Sequence, residues 1–426
     1  MTTVKIPYAK TYMEAHIPDN KLQGILLSKA HSYKATGSEE ELVQQALENP
    51  IDSPRLSDLA KGKKNIVIIT SDHTRPVPSH IISPLIVKEI RKSNPNGKIT
   101  FLIATGFHRL TTKEELACKF GEKFMNEINI VIHDCRDESS LIKIGTLPSG
   151  GETIINRLAA EADLLVAEGF IEPHFFAGYS GGRKSVLPGV ASQVTVLANH
   201  CSEFIHNKKA RAGILEGNPL HVDMLAAAQQ AHLAFIVNVV IDDKKKIIKA
   251  YAGNSVKAHE TGCKFVEELA AVPAKPADIA ITSNGGYPLD QNLYQSVKGM
   301  SAAEATVRDG GVIIICTACN DGHGGDAFYK WFAEAPGGPQ EVMDKIMQIP
   351  ANATIADQWE AQILARIQLH AHVIVVTDQC DHKLIKEMHM QATDTLNEAL
   401  TLAENIVGKD ATITVVPDGV SVIVKS

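Results

Sequence analysis

The segment Asn65-Ile-Val-Ile-Ile-Thr70 is a short apolar run that passes directly into Ser71-Asp-His-Thr-Arg-Pro76 and then into a helix candidate from Ser79 to Lys92. A buried strand, a polar loop and a helix in this order make up half of a βαβ unit. Similar apolar runs recur at 99–104, 163–167, 235–241, 278–282, 311–316, 372–377 and 411–416. The pattern predicts an α/β fold of mostly parallel sheets flanked by helices.

The length of the chain predicts two domains, because 426 residues exceed what one hydrophobic core usually supports. The best linker candidate is Val272-Pro273-Ala-Lys-Pro276, since two closely spaced prolines disfavour both helix and central strand. We therefore expect an N-terminal catalytic domain of residues 1–272 and a C-terminal α/β domain of residues 273–426, with the active site in the crevice between them. The sequence leaves open whether the last strand crosses back into the first domain.

Composition excludes several classes of protein. The formal net charge is −7 without a long basic run, which argues against a nucleic-acid partner. No apolar stretch is long enough to span a bilayer, and the first residues lack the apolar core of a signal peptide. The seven cysteines are scattered and odd in number, which suits reduced thiols. We therefore expect a cytoplasmic protein with no membrane association.

Polar loops follow several of the predicted strands, at the edge where open α/β sheets bind ligands. In the first of these loops, the guanidinium of Arg75 could hold a phosphate or carboxylate with two hydrogen bonds. Asp72 in the same loop could accept a ribose hydroxyl. The alternative is an Asp–Arg pair that only caps the following helix.

The longest such loop lies between Glu168 and His200 and is rich in glycine. Its segment Gly178-Tyr-Ser-Gly-Gly-Arg-Lys184-Ser185 superficially resembles a phosphate-binding P-loop, but Arg183 occupies the position where that motif needs glycine. A Walker-type nucleotide triphosphatase is therefore excluded. A backbone site for another phosphate, a reactive lysine and a plain turn with a solvated basic pair remain open.

Three histidines lie on or near these loops, at His108, His174 and His200. Histidine serves as an acid, a base or a metal ligand near neutral pH. One use of three converging histidines is a zinc site with an activated water, as in a zinc-dependent hydrolase. The closely spaced pairs that such sites often contain are missing here.

The stretch from Asp290 to Gly299 predicts a short helix, with Asp290 as its N-cap and Gly299 at its end. Gln295 and Lys298 are three residues apart and share a face, and Tyr294 borders it. An amide beside an ammonium suits a small carboxylate. The alternative is a solvated helix face.

Taken together, these residues resemble the nickel-dependent lactate racemase family over essentially the whole chain. The resemblance lies in Ser71-Asp-His-Thr-Arg-Pro76, Ala104-Thr-Gly-Phe-His108, Gly169 to Gly189, Asn199-His200 and Gly286-Tyr-Pro-Leu-Asp-Gln-Asn-Leu-Tyr-Gln-Ser-Val-Lys-Gly299. Members of this family use a nickel-pincer nucleotide, a pyridinium mononucleotide whose two sulfur-containing arms hold nickel.

The resemblance implies a role for each matched residue. Lys184 is expected to join the cofactor covalently through a thioamide, and His200 to be the protein ligand of nickel. His108 and His174 are expected to be the acid–base pair. The resemblance further assigns cofactor binding to Asp72, His73, Thr74 and Arg75, and substrate binding to Tyr294, Gln295 and Lys298, with Trp359 lining the pocket.

The chemistry implied by the resemblance is proton-coupled hydride transfer. The Cα–H of a 2-hydroxy acid is hardly acidic, and removing a hydride avoids a carbanion beside a carboxylate. A histidine is expected to take the hydroxyl proton while hydride moves to the cofactor, leaving a 2-keto acid that reorients and is reduced on its other face. The expected substrate is lactate or another short-chain 2-hydroxy acid, and malate, aromatic hydroxy acids and sugar acids are alternatives. The cofactor-biosynthesis enzymes are the expected protein partners.

Overall fold

The computed structural model describes residues 1–425, apart from the side chain of His31. Its strands are β1 (Thr2–Tyr8), β2 (Thr11–Ile17), β3 (Leu22–Ile25), β4 (Asn65–Ser71), β5 (Lys98–Ala104), β6 (Asn129–Ile132), β7 (Leu141–Thr146), β8 (Glu152–Asn156), β9 (Leu164–Phe170), β10 (Pro173–His174), β11 (Gly178–Tyr179), β12 (Leu233–Ile241), β13 (Ile247–Gly253), β14 (Ala271–Pro273), β15 (Ala277–Ser283), β16 (Val307–Cys316), β17 (His372–Val376), β18 (Gln391–Thr393), β19 (Ile413–Val416) and β20 (Ile423–Lys425).

The helices lie mostly between strands, as expected for βαβ units. They are α1 (Glu39–Glu48), α2 (Leu56–Ala60), α3 (Ser79–Arg91), α4 (Lys113–Phe120), α5 (Glu122–Glu127), α6 (Arg157–Ala160), α7 (Gln193–Asn199), α8 (Ser202–His206), α9 (Pro219–Gln230), α10 (Lys257–Ala270), α11 (Leu293–Glu304), α12 (Asp326–Ala333), α13 (Gly338–Met347), α14 (Gln358–His370), α15 (His382–Glu387) and α16 (Leu396–Val407). Among the described residues, no helix has the length and apolar content needed to cross a bilayer.

The chain forms two compact units that are not simply its two halves. The central unit consists of residues 29–200 and 209–269, and the terminal unit consists of residues 1–28, 201–208 and 270–426. Residues 1–28 and 201–208, and the last three residues at 270–272, lie within the expected domain of residues 1–272 but belong to the terminal unit. The first two of these segments pack against elements of the terminal unit: β3 pairs with β19 in one sheet, and α8 packs against α13 and α14. The last strand, β20, pairs with β14 inside the terminal unit.

The central unit is built on a sheet of order β13-β12-β9-β4-β5-β6, in which only β13 is antiparallel to its neighbour. The chain runs outward from β4 through β5 and β6, then returns to the other side of β4 as β9. This reversal of direction is a topological switch point, where open α/β sheets bind ligands. Ile66, Ile68 and Phe101 anchor the core between the sheet and its helices.

The terminal unit repeats this arrangement with the order β18-β17-β16-β15-β19-β3, in which all neighbours are parallel. Here the chain runs outward from β15 through β16, β17 and β18, and returns beside β15 as β19. The switch point therefore lies between β15 and β19. The predicted α/β class with parallel sheets flanked by helices is confirmed.

Local signals fix some helix boundaries and miss others. The sequence pattern of Thr112 followed by Glu115 predicts a capping box, and Thr112 indeed caps α4 and exchanges hydrogen bonds with Glu115. Ser79 also resembles an N-cap in the sequence, but it is the first residue of α3. Pro78 stands at the cap without a side-chain hydrogen bond, so neither Asp72 nor Arg75 caps this helix.

Both predicted ends of α11 are wrong. The N-cap is Asn292, whose side chain accepts the N–H of Gln295 at 2.9 Å. Asp290 instead accepts the N–H of Ala9 at 2.6 Å, so its carboxylate joins two loops rather than starting a helix. The helix also continues through Gly299 to Glu304.

Gly299 lies inside α11 because the end of β15 approaches the helix closely at this point. Its N–H donates to Oδ1 of Asn284 at 2.8 Å. A Cβ atom on residue 299 would lie 2.5 Å from that oxygen and 2.8 Å from the carbonyl oxygen of Ser283. Glycine here permits close packing of a helix on a strand end, which a sequence pattern cannot distinguish from a helix stop.

We predict that Gly299→Ala lowers the free energy of unfolding by about 1–3 kcal/mol, because overpacking outweighs the usual helix preference for alanine. Chemical denaturation monitored by circular dichroism measures this change. Gly325→Ala is the matched control, because its Cβ would meet only ordinary contacts of 3.8 Å or more. An unchanged or raised stability of the Gly299 variant would contradict the packing argument.

Candidate active site

The loop after β4 is organised around the carboxylate of Asp72, which is only 2% exposed. Its Oδ1 accepts the N–H of Thr74 at 3.0 Å and the hydroxyl of Thr74 at 2.6 Å. Its Oδ2 lies 2.7 Å from Nδ1 of His108, which follows β5. Burial opposes ionisation, but the hydrogen bonds from His108 and Thr74 and the charge of Arg75 lower the pKa of Asp72 to about 2.

The bond to Asp72 fixes the form of the His108 ring. A carboxylate only accepts, so Nδ1 of His108 carries a proton, and in the neutral ring Nε2 carries the lone pair. The His108 side chain is 47% exposed although its partner Asp72 is buried. A buried carboxylate that orients an accessible imidazole with its lone pair outward is the arrangement of a general base.

The other residues of this loop lie around the same pair. The guanidinium of Arg75 donates to the hydroxyl of Thr74 at 3.2 Å. Nδ1 of His73 lies 3.2 Å from the hydroxyl of Thr111, and burial lowers the pKa of His73. The expected cofactor-binding residues 72–75 thus form one hydrogen-bonded loop at the carboxyl end of β4.

The glycine-rich loop after β9 is held by Arg183, which points into the protein and is 2% exposed. Its guanidinium donates to the carbonyl oxygens of Tyr179 at 2.8 Å and Ala177 at 2.7 Å. The plain turn with a solvated basic pair is therefore wrong for this residue. Where a P-loop has glycine, this loop has Arg183, whose hydrogen bonds to backbone carbonyls hold the loop in place.

The glycines of this loop serve packing against the protein itself. A Cβ on Gly182 would lie 2.6 Å from the ring of His259, and one on Gly178 would lie 2.4 Å from the carbonyl oxygen of Ile214. Both residues also have positive φ, which glycine adopts without strain. These two glycines therefore allow the loop to pack closely on its own unit.

The ring of Phe176 contacts three of the expected site residues. Its centroid lies 4.5 Å from that of His174 and 5.4 Å from that of His200, both edge-on. The ammonium of Lys184 lies 5.7 Å from the same centroid. Phe176 is not among the residues predicted for the site, although the pair Phe175-Phe176 directly after a loop histidine is a usable signal.

His174 has the opposite hydrogen-bonding pattern to His108. Its Nδ1 accepts the backbone N–H of Ala177 at 3.2 Å, so this nitrogen carries the lone pair. In the neutral ring, the proton therefore lies on Nε2. The structure thus holds His108 with an accepting Nε2 and His174 with a donating Nε2.

His200 ends α7 and is buried beside Lys184. Its Nδ1 donates to the carbonyl oxygen of Val196 at 3.0 Å, which leaves the lone pair on Nε2. Burial, and then the charge of Lys184, lower the pKa of His200 to about 3. The imidazole is therefore neutral near pH 7, which is the form that binds transition metals.

Backbone contacts join the loops that carry these residues. The N–H of Gly106, two residues before His108, donates to the carbonyl oxygen of Gly189 at 2.9 Å. The loops after β4, β5 and β9 therefore meet at one edge of the central sheet, at its switch point. No group of three or more His, Cys, Asp or Glu side chains placed to hold a metal occurs among the described residues, so the three-histidine zinc site lacks its ligand cluster.

The expected substrate residues form a second cluster, on α11 of the terminal unit. The ammonium of Lys298 donates to Oε1 of Gln295 at 2.6 Å, so the two side chains share a face as predicted. The hydroxyl of Tyr294 donates to Asp357 at 3.2 Å and accepts Nε1–H of Trp359 at 3.2 Å. Asp357 is not among the residues predicted for this cluster, because the sequence pattern of a carboxylate ahead of a helix predicts only a capping residue.

Comparison with known proteins gives a consistent result over the whole chain. Residues 8–213 match the family model for the lactate racemase N-terminal domain, and residues 272–424 match that for the lactate racemase C-terminal domain. The chain is 60% identical to a lactate racemase of Thermoanaerobacterium thermosaccharolyticum and 54% identical to one of Lactiplantibacillus plantarum, each over 425 residues and 100% of both chains.

Solved structures agree with these matches. The lactate racemase apoprotein from T. thermosaccharolyticum superposes with a TM-score of 0.97 at 59% identity, covering 100% of both chains. A protein from Thermotoga maritima shares the fold alone, with a TM-score of 0.65 at 18% identity, covering 92% of this chain and 100% of the other. The chain therefore belongs to the lactate racemase family and is an enzyme of the isomerase class.

Proposed function

We propose that this enzyme interconverts D- and L-lactate. Two curated relatives that are named lactate racemase match the entire chain at 60% and 54% identity. The observation within the structure that best supports the proposal is the pair of histidines with opposite hydrogen-bonding patterns, His108 and His174. Oxidation and re-reduction of a 2-hydroxy acid require the hydroxyl proton to be removed from one enantiomer and returned to the other, which suits two acid–base groups.

We assign a covalently bound nickel-pincer nucleotide to this site, joined through Lys184 with His200 as the protein ligand of nickel. Two features of the central unit fit this group: the neutral imidazole of His200 supplies a lone pair at Nε2, and the charge of Lys184 acts on that ring from nearby. When bound, the group supplies a hydride acceptor that avoids a carbanion at Cα. We assign its polar parts to Asp72, His73, Thr74 and Arg75.

The two histidines move the hydroxyl proton. Nε2 of His108 accepts it from one enantiomer, and Asp72 stabilises the imidazolium that results. His174 serves the other enantiomer, and its ring presents a proton on Nε2 in the state described here. To act as a base at Nε2, the neutral ring of His174 must carry its proton on Nδ1 instead, and Nδ1 then no longer accepts the N–H of Ala177.

The substrate carboxylate is assigned to the cluster on α11. An ammonium at Lys298 and the side-chain amide of Gln295 give it charge and a hydrogen bond, and Tyr294 limits the space beside them. Holding the carboxylate lets a 2-keto acid turn its other face without leaving the enzyme. A short side chain such as the methyl group of lactate suits this cluster better than that of malate, an aromatic hydroxy acid or a sugar acid.

We further propose a cytoplasmic enzyme that depends on the cofactor-biosynthesis enzymes as partners. No disulfide joins any of the seven cysteines, which lie within the described residues. Reduced cysteines are usual in the cytoplasm.

The direct test is a chiral assay on protein produced together with the cofactor-biosynthesis enzymes. Purified protein is given either L-lactate or D-lactate, and both enantiomers are followed by chiral chromatography. We expect both reactions to converge on an equal mixture, since enantiomers have equal free energy. Loaded protein that converts neither enantiomer, or that acts only on malate or another 2-hydroxy acid, overturns the proposal.

We predict that Lys184→Ala abolishes the covalent adduct, whereas His108→Ala and His174→Ala retain it and lower kcat by about 10²–10⁴-fold. Intact-mass spectrometry under denaturing conditions measures the adduct, and peptide mapping places it. Lys209→Ala serves as the control, because Lys209 lies outside the loop that carries the site. An adduct on the Lys184 variant would refute the assigned linkage.

We predict that Asp72→Asn lowers kcat by about 10²–10⁴-fold while the adduct is retained. An amide in place of the carboxylate offers a donor to Nδ1 of His108, which favours the tautomer whose Nε2 is protonated. Steady-state kinetics measures the loss. Asp137→Asn is the control, because that exposed carboxylate accepts from Ser139 in its own loop. If the Asp72 variant and the wild type have equal kinetic constants, Asp72 does not orient His108 for catalysis.

A further inference from the structure

Glu360 is a buried carboxylic acid beside the substrate cluster. It lies in the first turn of α14, which packs against α11, and it is 1% exposed. Its Oε1 has no hydrogen-bond partner among the residues that the structure describes. Asp357, which precedes this helix, has a left-handed backbone with φ of +64°, an arrangement that is uncommon outside glycine. Buried polar atoms are nearly always satisfied, so an orphaned carboxyl oxygen here requires an explanation.

The surroundings of Glu360 contain one cation and two acidic groups. The charges of Lys298 on α11 and of Asp357 at the start of α14 act on Glu360, and Glu360 acts in turn on the hydroxyl of Tyr294. The charged groups of the other helices packed on α14 lie on exposed or partly exposed positions, at Glu203, His206, Asp326, Lys330, Glu341, Asp344 and Lys345. Burial raises the pKa of Glu360 to about 8, with Lys298 opposing and Asp357 reinforcing the shift.

We propose that Glu360 is a positioning residue that controls whether Lys298 can bind the substrate carboxylate, and that it must carry a proton when the substrate is bound. This inference rests on the proposed function, in which Lys298 holds that carboxylate. One ammonium cannot stabilise two buried carboxylates, because like charges at a shared site force one of them to stay neutral. Protonated Glu360 leaves the charge of Lys298 to the substrate, and ionised Glu360 takes it.

Substrate binding is then coupled to proton uptake by Glu360. Lactate itself is fully ionised above pH 6, so its own titration does not contribute. With a pKa of about 8 in the absence of substrate, the protonated fraction of Glu360 falls about tenfold between pH 7 and pH 9. The KM of the wild-type enzyme should therefore rise about tenfold over this range.

The test compares the KM for lactate at pH 7 and pH 9 in the loaded wild type and in Glu360→Gln. The amide keeps the shape of the side chain but cannot ionise. We expect equal KM values at pH 7, a tenfold rise in the wild type at pH 9 and a change below twofold in the variant. Glu304→Gln is the matched control on α11, because Glu304 pairs with Arg366 instead, and it should keep the tenfold rise.

Isothermal titration calorimetry gives an independent reading that needs no variant. Lactate is titrated into the loaded enzyme in buffers of different ionisation enthalpy, and racemisation adds no heat because enantiomers have equal enthalpy. We expect uptake approaching one proton per substrate at pH 9 and close to none at pH 6. A flat KM profile in the wild type, a tenfold rise retained in Glu360→Gln, or binding at pH 9 without proton uptake overturns the inference.

These outcomes are distinct from failure of the proposed function. If the loaded enzyme neither binds nor converts lactate at pH 7, the substrate assignment fails and the role of Glu360 fails with it. If lactate is converted but the two pH profiles coincide, the racemase function stands and only the role of Glu360 is lost. A purely structural role would change KM equally at both pH values.

Discussion

The hydrogen bond between Asp72 and His108 is the interaction on which the site of the central unit depends. It joins the loops after two neighbouring strands, and it buries a carboxylate whose remaining oxygen is satisfied by Thr74. Without this carboxylate, neither the loop conformation nor the tautomer of His108 has a partner to fix it. The interaction therefore links the packing of the sheet edge to the proton transfer that we propose for His108.

The switch point of each sheet positions the polar loops in both units. Each unit has an open sheet whose chain direction reverses once, between β4 and β9 or between β15 and β19. A reversal leaves a cleft that the connecting helices do not cover, so polar loops can gather there without burying unsatisfied backbone. Asp72 follows β4, the proposed acid–base residues His108 and His174 follow β5 and β9, and the proposed substrate residues follow β15.

The fold was largely predictable from the sequence because it depends on local patterns. Apolar runs of strand length and the capping box at Thr112 depend on residues that are close together in the sequence, so they can be recognised without knowledge of tertiary contacts. The partners of charged side chains were not predictable, since Asp72 and His108 are 36 residues apart. Arg183 read as a solvated cation, yet it clamps backbone carbonyls inside the loop. The burial of Glu360 was not predictable either, because it depends on packing between two helices.

The protein fixes the neutral rings of His108 and His174 in opposite tautomers, so that Nε2 of His108 offers a lone pair while Nε2 of His174 donates a hydrogen bond. Nitrogen-15 NMR of histidine-labelled protein at pH 8 measures this directly, with resonances assigned through the His108→Ala and His174→Ala variants. The account predicts a protonated Nδ1 with an unprotonated Nε2 for His108, and the reverse for His174. The same tautomer at both residues would contradict it.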